Sequence, residues 1–298
     1  MLGCPQEGQL QRPASNMHVV MAQTTMNRAS REEEDLHRTM DLSGLPRSAH
    51  IPLLAVVYGL GLALFLAVEP TQPWILLAIV ALVGLGTDGI LRAHPRAQLR
   101  GFADTAPFLF IPVLLSLASG LFLEEVALGY WTVPAVMGAS VLLATTLYGE
   151  YVSVLSHGPS YALGRFLLNV LTYLAAFAFY AVVYTYDVDL LPASFSVGLF
   201  SLLLAVEVFR EAEADAYRAL VFSAAIGIVV GEMRWALYFI PLEGFLAAIL
   251  LLLVFYLATG LVQHHLTGHL NRTIAAEFGL VTALGLAVVI VGRVLSFG

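Results

Sequence analysis

Six residues of this 298-residue chain combine a reactive side chain with a telling position. Asp88 (in GTDGILR), Glu150 (in YGEYVSVLSH) and Glu207 (in AVEVFRE) each close a long apolar run, and a fourth run ends in VQHHLTGHLNRT, which carries His264, His265 and His269. Carboxylates with imidazoles suit general acid and base catalysis, because imidazole titrates near neutrality and a half-buried carboxylate is pushed up toward it. The same groups suit a divalent transition metal such as zinc, iron or manganese, and His265 and His269 stand at i,i+4, on one helical face. The catalytic candidates are therefore Asp88, Glu150, Glu207 and His265, and the metal-ligand candidates are His264, His265 and His269. His157 and His269 are placed to join such a group from adjacent loops.

A plainer explanation stands beside each of these. Asp88 has Arg92 at i+4 and Glu207 has Arg210 at i+3, so each acid has a neutralising partner on its own helix. Glu150 and His264 lie roughly 20 residues into their runs, about 30 Å at 1.5 Å per residue, which is already the head-group region. Gly268, between His265 and His269, is able to end the helix before the i,i+4 geometry forms. On that reading VQHHLTGHLNRT is a solvated helix end.

The elements that position these groups follow from composition. The chain is 59% hydrophobic and 12% charged with a mean hydropathy of +0.84, against about 25% charged residues in soluble domains. A hydrocarbon core of about 30 Å takes about 20 apolar residues in a helix. Windows of that kind fall at nine places: 51–68, 74–91, 107–123, 130–149, 163–185, 190–209, 217–239, 242–263 and 275–295. The runs are continuous rather than alternating, which excludes barrel strands. The expected fold is an all-α integral membrane bundle over residues 51–298, behind a polar, mostly disordered cytoplasmic tail over residues 1–50. That tail holds no apolar stretch of signal-peptide length.

Orientation is read from the arginines, which accumulate in cytoplasmic loops. With the N-terminus inside, Arg92, Arg96, Arg100, Arg165, Arg210, Arg218 and Arg272 join the tail arginines on the cytoplasmic side, and only Arg234 and Arg293 remain outside. The outer loops carry Glu69, Glu124, Glu125, Asp187, Asp189 and Glu243 instead. The expected topology is N-terminus in, C-terminus out, in a bacterial-type cytoplasmic membrane. Spans two, four, six and eight then end at one cytoplasmic mouth, where Asp88, Glu150, Glu207 and the histidines meet. In the outer half, Glu232 and Arg293 fall at similar depth and are expected to pair, with Arg234 snorkelling to the head groups.

Several classes are excluded. The basic residues are all arginine, so no lysine is present for a Schiff base. Cys4 is the only cysteine, which rules out an intramolecular disulfide. The net charge of −7 is spread without a like-charged block, and no nucleic-acid surface is expected. Walker A, GxSxG and HExxH patterns are absent. Polar residues in the central thirds of the spans, among them Ser116, Ser119, Thr172, Tyr173 and Ser201, are neutral, which argues against an ion-coupled transporter.

Three functional expectations remain. The first is an enzyme that handles a lipid or isoprenoid at the cytoplasmic leaflet. The second is a transporter or channel for a small solute, with the same residues as an inner gate. The third is a non-catalytic subunit or scaffold that packs against a membrane-protein partner or forms a homo-oligomer within the lipid bilayer.

Overall fold

The computed structural model describes residues 50–93, 102–127, 129–154, 160–186, 188–210, 216–240, 242–266 and 272–296. They fall within one unit, residues 47–298. The expectation for the tail lies outside the described residues, as do those for His157 and His269.

The described secondary structure is all helical. Nine helices are long and apolar enough to cross a membrane, with no strand among the described residues. They are α1 (His50–Ala67), α2 (Pro73–Arg92), α3 (Phe110–Val126), α4 (Thr132–Ser153), α5 (Tyr161–Thr185), α6 (Leu190–Phe209), α7 (Ala216–Tyr238), α8 (Gly244–Leu266) and α9 (Arg272–Ser296). Each coincides with one of the nine apolar windows to within a few residues. A short helix, Phe102–Thr105, and a 3-10 turn, Ala106–Phe108, lead into α3.

The starts of these helices have local causes. Pro52, Pro73, Pro112, Pro134 and Pro192 each fall in the first turn of a helix, where the backbone N–H has no intrahelical acceptor and its loss costs nothing. Gly129, at φ 63°, makes the turn before α4, a conformation that a side chain would disfavour.

The interior is organised around α5, which packs against α3, α4, α6 and α8. One apolar cluster joins α3, α5, α6, α7 and α8 through Tyr180, Val197, Leu204, Phe209, Val230 and Phe255. Another joins α1, α2 and α4 through Tyr58, Leu62, Val83 and Leu143. Hydroxyl groups within the spans tie helices together. Tyr58 bonds Ser119 at 2.7 Å, Tyr180 bonds Ser201 at 2.6 Å, and Tyr173 bonds Thr259 at 3.2 Å. In each pair the Ser or Thr proton goes to a carbonyl on its own helix, so the tyrosine donates. The neutral polar residues of the span centres therefore include interhelical fasteners.

Small residues decide how closely some helices approach. The most extensive helix contact is α6 against α7. A Cβ added at Gly227 would lie 2.6 Å from the Gly198 carbonyl oxygen, and one at Gly231 would lie 3.0 Å from that of Ser194. Gly227 and Gly231 form a GxxxG pair that lets the two backbones touch.

Candidate functional site

A buried ionic quartet lies where the C-terminal ends of α4 and α6 meet the start of α5. Local sequence accounts for part of it. Glycine stands beside the charge on two helices, as Gly149–Glu150 on α4 and Gly164–Arg165 on α5. A Cβ at Gly164 would lie 3.2 Å from the Gly149 carbonyl oxygen, so the helices cross with almost no side chain between them. That crossing brings Glu150 and Arg165 into the same interior region. The last turn of α6 then adds Glu207, and its C-cap residue adds Arg210.

Arg210 is the hub. One of its terminal nitrogens, Nη2, lies 2.8 Å from Glu207 Oε1 and 3.1 Å from Glu150 Oε2. It also reaches the Ser153 hydroxyl at 3.4 Å. Arg165 approaches from α5, donating through Nη1 to Glu207 Oε1 at 2.9 Å and through Nη2 to the Glu207 carbonyl at 3.4 Å. The Arg210 guanidinium also stacks over the Phe108 ring, 4.1 Å from its centroid. Glu150 and Glu207 are 0% and 1% exposed, and Arg165 is 5% exposed.

Taken as ions, two arginines and two glutamates sum to zero. Burying each ion costs several kcal/mol, to order of magnitude, and only close opposite charges and complete hydrogen bonding offset that. The offset is incomplete here. Glu150 Oε1, Glu207 Oε2 and Arg210 Nη1 are buried without a hydrogen-bond partner. Two acceptors and one donor are thus left over inside a neutral cluster.

The other sequence candidates lie apart from the quartet. Asp88 pairs with Arg92 at 2.9 Å and accepts a hydrogen bond from Thr105, whose segment continues into Phe108. It is near the quartet's floor without being bonded to it. His264 donates from Nδ1 to the Gly260 carbonyl at 2.9 Å and meets the Phe278 ring edge-on. His265 is exposed and lines a cleft of about 370 Å³ with Tyr217, Arg218, Val221, Phe222 and Leu266. Adjacent helical residues project about 100° apart, so His264 and His265 do not face one ion together. Among the described residues, no group of three His, Cys, Asp or Glu side chains is placed to hold a metal. The remaining metal candidate, His269, lies outside the described residues.

From the sequence alone Arg165 counts only among the cytoplasmic charges, and Arg210 only as a partner within its own helix. The signal for Arg165 was its place inside the apolar run 163–185, directly after a glycine. The pairing of Arg210 with Glu207 at i,i+3 is present, and its second bond, to Glu150 on another helix, had no local signal.

The far end of the bundle differs from expectation. Arg234 does not snorkel: it is 3% exposed, with its guanidinium 4.2 Å from the centroid of the Tyr184 ring. α7 packs against α6 and α8, and the Tyr184 ring of α5 covers the Arg234 side chain before it reaches the surface. Glu232 is exposed.

Comparison with known proteins places the chain in one family. The model of a family described as a protein of unknown function, DUF5656, matches residues 70–292, and the chain belongs to that family. The matched region takes in the quartet, α2 to α8 and nearly all of α9. No curated protein matches the chain. No solved structure matches it either.

Proposed function

We propose that this DUF5656 member is a multi-pass protein of a bacterial-type cytoplasmic membrane that handles a lipid or isoprenoid at the cytoplasmic leaflet. The observation that carries the reading is the set of unfilled atoms in the quartet, Glu150 Oε1, Glu207 Oε2 and Arg210 Nη1, buried at one end of α4 and α6. An amphiphile's head group that carries both a hydroxyl and an anionic oxygen satisfies both kinds of atom. The arginines orient the anion, and a glutamate moves a proton to or from the hydroxyl. Orientation is supported by Arg92, Arg165, Arg210 and Arg218 at this end, against Glu124, Glu125, Asp189 and Glu243 at the other. Asp88, through Thr105, is a positioning residue for the segment beneath Arg210. His265 belongs to the adjoining cleft.

The test compares lipid extracts of membranes that contain the wild type, Glu207→Gln or Arg165→Gln. A lipid species that rises or falls with the wild type and is unchanged by Glu207→Gln, at equal protein level, is the expected outcome. Lipid profiles identical across all three overturn the reading. Metal participation at His264, His265 and His269 has its own check. Near-stoichiometric zinc, iron or manganese in the purified protein, lost when the three are changed to alanine, assigns it, and metal-free wild type removes it.

A second reading rests on a separate observation. The quartet bonds three helices to one another, α4 to α6 through Arg210 and α5 to α6 through Arg165, which is the form of an inner gate in a transporter. Solute uptake into proteoliposomes that increases in Arg210→Ala supports the gate, and uptake absent from both proteins excludes it.

A further inference from the structure

Two polar side chains meet near the other end of the bundle and a third lies on the adjoining helix, and their orphaned atoms are all able to donate. Arg234 on α7 has Nε and Nη1 buried without a hydrogen-bond partner, and so are the Tyr184 hydroxyl on α5 and the Ser194 hydroxyl on α6. Arg234 and Tyr184 are in contact, the guanidinium 4.2 Å from the ring centroid. Ser194 is tied to the same place because its carbonyl lies 3.0 Å from a Cβ at Gly231, one helical turn before Arg234.

Each orphan departs from how the chain treats its kind elsewhere. Tyr58, Tyr173 and Tyr180 each give their proton to a hydroxyl on a neighbouring helix. Ser116, Ser119, Ser140, Ser201 and Ser223 each donate to a carbonyl of their own helix. Arg165 and Arg210, the other enclosed guanidiniums, bond carboxylates. No ion pair of Arg234 with a carboxylate is present among the described residues. A guanidinium stays charged at any working pH, and a buried, uncompensated charge is among the costliest features a fold can hold. The acceptor beside this guanidinium is the uncharged Tyr184 oxygen, and donors that lack a counter-charge describe an anion site.

The neighbouring surface says what carries the anion. Ser194 opens an apolar groove of about 290 Å³ between α6 and α7, along Gly198, Leu202, Gly227 and Ile228. This is near the lower end, about 300 Å³, of ligand clefts. From Ser194 to Leu202 the groove follows α6 for eight residues, about 12 Å at 1.5 Å per residue, toward mid-helix. Tyr184 is the penultimate residue of α5, Ser194 the fifth of α6, and Arg234 lies four before the end of α7. The donors thus lie at the level of lipid phosphates, and the groove runs from them into the depth of acyl chains.

From this geometry we infer that Arg234, Tyr184 and Ser194 bind the phosphate of an anionic amphiphile whose tail lies in the groove between α6 and α7. The site is separate from the quartet, at the opposite ends of α5 and α6, and does not rest on the reading of the quartet.

The full chain, delipidated in a mild non-ionic detergent, tests the inference by native mass spectrometry and thermal melting. The probes are dioleoyl phosphatidic acid, dioleoyl phosphatidylcholine and inorganic phosphate, applied to the wild type, Arg234→Met, Tyr184→Phe and Ile228→Trp. The expected result is about tenfold tighter retention of phosphatidic acid than of phosphatidylcholine by the wild type, as charge-assisted bonds to phosphate imply. Arg234→Met abolishes that preference. Tyr184→Phe, which keeps the charge and the ring, weakens it by about fivefold, the worth of one hydrogen bond. Ile228→Trp, which fills the groove from its exposed wall, weakens both lipids. Should Arg234→Met not fold, the Tyr184→Phe result decides. A wild type without lipid preference, a preference unchanged in both donor variants, or inorganic phosphate giving the whole melting shift by itself overturns the inference.

Discussion

The two ends of the bundle bury arginine in opposite ways. At one end Arg165 and Arg210 are enclosed with Glu150 and Glu207, and the four charges balance among themselves. At the other end Arg234 is enclosed with a tyrosine ring and hydroxyl groups, and no described carboxylate balances it. Arg165 and Arg234 are both well removed from water, and Arg210 is 18% exposed at the side chain, so burial alone does not separate the two ends. Charge balance does. A balanced cluster completes its own wiring except for a few atoms, whereas the cation at the other end has no counter-charge among the described residues.

Removing one member of the balanced set has the largest expected effect. Arg210→Ala leaves two buried carboxylates with Arg165 as their remaining cation, and stability falls by about 3–5 kcal/mol. Unfolding by SDS titration in mixed micelles reads this, and a loss below about 1 kcal/mol would show that the quartet is not a coupled unit.

The helix crossing that leads from the quartet end toward Arg234 comes next. Gly227→Ala forces a methyl to within 2.6 Å of the Gly198 carbonyl oxygen, backbone against backbone. The expected loss is about 1–3 kcal/mol, as for other overpacked sites, and the same titration measures it. Gly89→Ala on α2, where a Cβ meets nothing within 4 Å, is the control that isolates the crossing from helix propensity.

Arg234→Met sharpens the contrast because its sign is reversed. In protein stripped of lipid, deleting an uncompensated buried cation raises stability by ~1 kcal/mol or more. A fall as steep as that of Arg210→Ala would mean that the two ends are built alike, and the comparison would fail.

The smallest effect belongs to Asp88→Asn. Its partner Arg92 is 41% exposed at the side chain, so solvent screens the pair and the loss is at most about 1 kcal/mol. That loss shrinks further in high salt, whereas the quartet, shielded from solvent, responds little to added salt. Unfolding of both variants at low and high sodium chloride checks the difference.

What the sequence determined by itself is the class of object and the positions of its helices. Continuous apolar runs of about 20 residues have one solution in a hydrocarbon solvent, a helix that satisfies its own backbone. Nine such windows therefore coincide with nine helices, and prolines and glycines punctuate their ends. The i,i+3 and i,i+4 partners, Glu207 with Arg210 and Asp88 with Arg92, were also legible, since helix geometry alone brings them together. The tertiary structure decided everything that depends on which helix faces which. It enclosed Arg165 in the interior, carried Arg210 across to Glu150 on α4, left His265 on a separate cleft, and shut Arg234 against Tyr184. Spacing along a chain specifies which residues share a helical face. The direction in which that face turns is settled by close packing between helices, through contacts such as Gly149 on Gly164 and Gly198 on Gly227, whose partners lie far apart in sequence.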